Sequence, residues 1–227
     1  TTIKKHTFRD LVVTEIHLHD NFIDELEDEA FLHLNNLSMI SLDNNRLKVI
    51  NPKAFTLVPR LEHLSLTANH ITTLQAGVFS FLPARNSYIT LACNKIDQLK
   101  KIAFDGLSSR FIVILNLNGN RIETLPEDIF SNHSFGLVDL GYNPLTKISR
   151  YFCEKQCVME RFWFDCTFLT LEDVEFIVGW AKMKEVDLGA SGCPQYNLTF
   201  KARPAKYCSG AKNFGDAFSC QLYVCFY

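Results

Sequence analysis

Apolar residues return along this chain on a fixed period, and an asparagine returns with them. In residues 37–60 the apolar positions are Leu37, Ile40, Leu42, Leu47, Ile50, Phe55 and Val58, with Asn45 among them. Twenty-four residues on, the set reads Leu61, Leu64, Leu66, Asn69, Ile71, Leu74, Phe79 and Leu82. Twenty-four residues back it reads Val13, Ile16, Leu18, Asn21, Ile23, Leu26, Phe31 and Leu34. The spacing of two between Ile40 and Leu42 predicts a short strand with both side chains on one face. One such unit cannot bury that face alone, so successive units must stack and extend a parallel sheet. The asparagine falls where the chain leaves the strand. Its amide can satisfy backbone groups of the neighbouring turns, as a buried turn requires. Leu47, Ile50 and Phe55 then fill the wedge between the sheet and the convex side.

The pattern continues with drift. A fourth copy reads Asn86, Ile89, Leu91, Asn94, Ile96, Leu99, Phe104 and Leu107, and a fifth Ile112, Leu115, Leu117, Asn120, Ile122, Leu125 and Phe130. The sixth reads Phe135, Val138, Leu140, Asn143, Leu145 and Ile148, with Cys153 at the Phe position. Met159, Phe162, Phe164 and Thr167 stand twenty-four residues further, and Met183, Val186, Leu188 and Ser191 twenty-four beyond those. Thr and Ser keep a hydrogen-bonding side chain at the turn. Residues 170–181 read as a helix between these strands: Thr170 and Asp173 have capping-box spacing, and Leu171, Val174, Ile177 and Val178 form one apolar face. At the other end, Ile3, Phe8 and Leu11 repeat the spacing of Ile50, Phe55 and Val58, so the chain opens inside a repeat, as a trimmed or a processed chain would.

The expected fold is an α/β solenoid: a curved parallel sheet of eight strands on the concave side, short helical or irregular convex segments, and a Cys-rich C-terminal cap. Residues 1–12 form a partial N-terminal repeat, 13–158 six repeats, 159–192 two degenerate repeats with a convex helix, and 193–227 the cap. The LxxLxLxxN opening of each copy, with a Phe in its second half, resembles the leucine-rich repeat family. The likeness covers residues 1–192 and fades in the tail. It implies a module that holds a protein ligand on its concave sheet, as in the ectodomains of Toll-like receptors and secreted invertebrate immune repeat proteins. Extracellular members often end in a cap opened by Asn-Pro-Trp and a Cys-x-Cys pair. Here Asn143-Pro144-Leu145 stands, and no Cys-x-Cys occurs, so the family's disulfide pattern is not carried over.

Composition narrows the function. A net charge of −2 gives no reason to expect nucleic acid, and no apolar run is long enough to span a bilayer. Sequons begin at Asn36, Asn132 and Asn197, and seven of the eight cysteines lie at or beyond Cys153. Together they favour an extracellular chain, secreted or a receptor ectodomain fragment. Cys153, Cys157, Cys166, Cys193, Cys208, Cys220 and Cys225 supply up to three disulfides to the cap, with one thiol left over. Cys93 shares a column with Cys166 three strands away, about 14 Å at the usual strand spacing. It is therefore expected to be a lone, half-buried thiol. The final segment, 221–227, has no charge and strong strand preference, and is expected to pack within the cap.

Glu15, His17 and His19 alternate on the first strand beside Asp43. A solvated His-rich face accounts for them better than a metal site, so no metal and no cofactor is expected. No phosphate loop, nucleophile elbow or isolated carboxylate pair points to an enzyme. Outward columns of the first six repeats contain no Lys or Arg, but do contain Glu15, Asp20, Asp43, Glu62 and Asp139. The third column runs Glu15, Met39, His63, Tyr88, Ile114 and Leu137. The expected ligand site is thus an apolar stripe of Tyr88, Ile114 and Leu137, flanked by Tyr142 and Trp163, beside an acidic field of Glu15, Asp43 and Glu62. It suits a protein partner with a basic and partly apolar patch, in immune recognition or receptor signalling. Two alternatives stand beside this reading: a matrix-organising structural protein, and an intracellular scaffold or inhibitor. The unpaired edge of the strand at 13–20 also offers a second chain a place to form a dimer.

Overall fold

The computed structural model describes residues 1–82, 87–106, 111–153 and 157–193. Asn86, Leu107, Asn197, Cys208, Cys220, Cys225 and the segment 221–227 lie outside the described residues. Eight strands pair side by side in chain order, all parallel: Glu15–His17, Met39–Ser41, His63–Ser65, Ser87–Thr90, Phe111–Asn116, Ser134–Leu140, Val158–Asp165 and Asp187–Ser191. The period-two reading holds within them. Ile40, Leu64, Ile89, Leu115, Val138 and Phe162 point into the core with no exposed surface, as do Leu42, Leu66, Leu91, Leu117, Leu140 and Phe164.

The asparagine ladder runs from the second repeat to the sixth. Asn45, Asn69, Asn94, Asn120 and Asn143 each donate Nδ2 to the strand-end leucine carbonyl of the preceding repeat, at 2.8–2.9 Å. Each Oδ1 accepts a backbone N–H of that same preceding repeat at 2.9–3.0 Å. The residue before each asparagine turns the chain through the left-handed region: Asp20, Asn44, Ala68, Cys93, Gly119 and Tyr142 have φ of 51–63°. The ladder stops there. Thr167 does not reach back to the sixth repeat; its Oγ1 donates to Asp165 within its own turn at 2.5 Å, and Ser191 Oγ donates to the same carboxylate at 3.0 Å.

A file of aromatic rings backs the sheet. Phe8 stacks on Phe31 at 5.2 Å and Phe31 on Phe55 at 5.3 Å; Phe104 lies 6.0 Å from Phe79 and 6.4 Å from Phe130. The sixth repeat breaks the rule as the sequence indicates. Cys153 takes the Phe column, since the Phe130 N–H bonds the Phe152 carbonyl as the Phe31 N–H bonds that of Ala54. The neighbouring column, small in earlier repeats at Ala30, Ala54 and Ala103, grows to Phe152. Its ring stands 6.3 Å from Phe130 and 4.8 Å from Trp180, so the file continues one column over.

The helix spans Leu171–Lys184, three residues beyond the expected end. Thr170 caps it as expected, with the Asp173 N–H donating to Thr170 Oγ1 at 3.1 Å, but the Asp173 carboxylate accepts from the Thr170 hydroxyl at 2.6 Å rather than from a backbone N–H. Val174, Ile177, Trp180 and Ala181 are buried, whereas Leu171 is 52% exposed, so the packed face is rotated toward Trp180 relative to the expected one. The longer helix also corrects the eighth repeat. Met183 is carried on the helix and is 74% exposed, and Glu185 closes the helix at φ 56°. The strand therefore starts late and pairs Phe162 with Leu188 and Phe164 with Ala190, a step of twenty-six rather than twenty-four. An even shift keeps inward residues inward.

Candidate ligand-binding face

Backbone pairing sets the third column side by side. Glu15 pairs with Met39, Met39 with His63, His63 with Tyr88, Tyr88 with Ile114, and Ile114 with Leu137. Tyr88, Ile114 and Leu137 are half-buried neighbours on adjacent strands. The His63 and Tyr88 rings stack at 4.3 Å, which extends the flat surface one strand toward the N-terminus. Leu137 pairs in turn with Arg161, so a cation closes the stripe at the seventh strand. Arg161 stands twenty-four residues after Leu137 and was legible in the sequence, had the column been read past the sixth repeat.

The two flanking aromatics are not placed alike. Trp163 sits in the fifth column, paired between Asp139 and Gly189, two residues along its strand from Arg161. Gly189 makes room for it, since a Cβ there would come within 2.8 Å of the indole. Tyr142 lies five residues beyond Leu137, past the end of its strand, and is 56% exposed. Trp163 thus stands on the strand next to Leu137's, and Tyr142 in the turn that follows Leu137's strand.

The acidic residues also divide. Glu15 is exposed, with a carboxylate oxygen 3.0 Å from His17 Nε2, and Glu62 is half-buried one column from the stripe. Asp43 is committed to the turn of the next repeat: Ser65 Oγ donates to it, as do the Thr67 N–H at 2.7 Å and Ser41 Oγ at 3.2 Å. Burial pushes its carboxyl above the usual range despite those donors. This corrects its expected place in a free acidic field. Asp139 is buried as well, accepting the Gly141 N–H at 2.9 Å and a hydrogen bond from the Asn118 side chain; desolvation pushes its pKa up to about 6. Among the described residues no three His, Cys, Asp or Glu side chains are placed to share a metal ion.

A pH prediction follows from Asp139. Its folded pKa of about 6 lies above the unfolded value. Its stabilising contribution is therefore complete below about pH 4 and is lost as pH rises through the folded pKa. Asp139→Asn, which keeps an acceptor for Gly141, should gain on the order of 2–3 kcal/mol near pH 8 and almost nothing near pH 3.5. Urea unfolding of both forms across that range checks it, and a gain independent of pH would contradict it.

Cysteine pairing corrects the expected free thiol. Cys153 is bonded to Cys157 and Cys166 to Cys193, with Cα separations of 5.4 and 5.3 Å. Cys93 is disulfide-bonded too. Cys166, which shares its column, is taken by Cys193 instead. Asn36 and Asn132 are exposed, the latter in the left-handed region at φ 68°.

Two family models, both described as leucine rich repeat, match residues 12–71 and residues 111–133. The chain carries leucine-rich repeats. Such repeats generally mediate protein–protein interaction and are typically not enzymes. The matched segments contain the first three strands of the sheet and the fifth. No curated protein matches the chain. No helix among the described residues is long and apolar enough to cross a membrane.

Proposed function

We propose that the chain is an extracellular protein-binding module that holds a protein ligand on the concave face, in immune recognition or receptor signalling. The contact centres on Tyr88, Ile114 and Leu137, with Trp163 beside them and Glu15 and Glu62 drawing in a basic partner. The supporting observation is the register that sets three half-buried apolar side chains on adjacent strands of the outward face. A patch of that kind, with aromatic anchors, suits the centre of a protein interface. Described disulfides and two exposed sequon asparagines support the extracellular part.

The test starts from capture of a binding protein out of extracellular fluid by the intact chain. Ile114→Asp and Leu137→Asp should each weaken binding of that protein roughly 30-fold or more while the far-ultraviolet spectrum stays native. Charge reversal at Glu62 should mainly slow association, by up to about tenfold at low salt. Full-strength binding by both Asp variants would place the ligand elsewhere. Peptide mapping that finds Asn36 and Asn132 bare and all thiols free would remove the extracellular part.

A further inference from the structure

The residue after each ladder asparagine lies off the sheet, on the flank where the chain leaves its strands. In the second to fifth repeats that residue is Arg46, His70, Lys95 and Arg121. One contact places all four alike: each donates its backbone N–H to a carbonyl of the preceding repeat, those of Ile23, Leu47, Ile71 and Ile96, at 2.7–2.9 Å. Adjacent strands lie ~4.8 Å apart, so the four form a row about 14 Å long. Arg46, His70 and Arg121 are exposed and Lys95 is half-buried. Among the described residues, neither Arg46, Lys95 and Arg121 nor the neighbouring Lys48 form an ion pair, although Lys5, Lys53 and Arg150 hold acids at 2.9, 3.8 and 2.6 Å. Asp97 and Glu123 follow Lys95 and Arg121 by two residues and do not pair with them. His70 registers the resulting field: desolvation, then Lys95, Arg46 and Lys48, hold its pKa below the usual range.

We propose that this row binds a linear sulfated polysaccharide, at a site separate from the concave face. Cations set in a line without acidic partners match a polymer that carries acid groups at regular steps. Beside the row, Thr72, Thr73 and Gln98 are exposed and uncharged, and can hydrogen-bond sugar hydroxyls. A nucleic-acid strand would instead call for open aromatic rings on which to stack its bases. Phe22, the ring in the row's own column, is covered by the Arg46 guanidinium at 4.4 Å. The choice of a polysaccharide also rests on the extracellular reading above, where such polymers would be met.

The probe is a heparin oligosaccharide added to the purified chain. It should bind, and Lys95→Ala combined with Arg121→Ala should weaken binding about tenfold or more at low salt. Losing two charges should also flatten the slope of log affinity against log salt by roughly 1.4, at ~0.7 per charge for a flexible strand. Arg46 is left in place because it packs on Phe22. Lys182→Ala combined with Lys184→Ala removes two exposed cations from the helix and should leave binding as it was. The His70 ring, followed by NMR and assigned with His70→Gln, should show its pKa rise when heparin binds, since a nearby anion favours the imidazolium. Absence of heparin binding at physiological salt, equal loss in the two double variants, or an unmoved His70 pKa overturns the site. A single-stranded DNA of equal charge that binds as tightly overturns the ligand class. The measurement needs no protein partner, so it can fail while glycans on Asn36 and Asn132 uphold the extracellular reading.

Discussion

Phe79→Ala is expected to lower the stability of the chain by about 3–5 kcal/mol. Phe79 has no exposed surface, and its ring is part of the aromatic file, 6.0 Å from Phe104. It stands in the middle of the stack, where each repeat is held only by its neighbours. A cavity there weakens two repeat interfaces at once, and the surrounding strands cannot collapse into it without breaking the ladder. Leu57→Ala is the matched control. Leu57 is 56% exposed on the convex side, and its truncation should change stability by less than about 0.5 kcal/mol. Thermal and urea unfolding of the two variants separate them, and equal midpoints would mean that the register of the third repeat is wrong.

Asn69→Leu should be nearly as damaging, although it adds apolar surface to a buried site. The Asn69 Nδ2 group donates to the carbonyls of Leu42, Leu66 and Thr67 at 2.9, 3.1 and 3.3 Å, and its Oδ1 accepts the Leu47 N–H at 3.0 Å. A leucine leaves the Leu47 N–H and the Leu42 carbonyl, both of the preceding repeat, without this partner. Each buried orphan costs about 1–3 kcal/mol, so a loss on the order of 3 kcal/mol is expected. Asn69→Asp is informative beside it: the carboxylate still accepts from Leu47 but cannot donate to Leu42. It should fall between the wild type and the leucine variant at neutral pH. A neutral Asn69→Leu would show that the ladder is not what holds adjacent repeats together.

The parts of the fold legible in the sequence are those where every repeat solves one physical problem with one residue type. Ile40 and Leu42 read as inward because the next repeats place Leu64, Leu66, Ile89 and Leu91 in the same columns. The asparagines read as a ladder because a buried turn has few other ways to satisfy its backbone. Where a repeat found a different solution, the pattern misled. Val186 and Leu188 looked like the core pair of the eighth strand, but a helix that runs on to Lys184 moved the pairing by two residues. Asp43 looked like a free surface charge because its hydrogen-bond partners, Ser65 and Thr67, lie a full repeat away in the chain. Cys93 was read as lone because connectivity between cysteines is not written in their spacing.

The measurement that bears most directly on the concave-face account is site-specific photo-crosslinking in the bound complex. A photoreactive side chain would replace Ile114 in one protein and Leu57, on the convex side, in another. The account predicts a covalent adduct with the captured partner from position 114 and none from position 57. An adduct from position 57 with none from position 114 would contradict it.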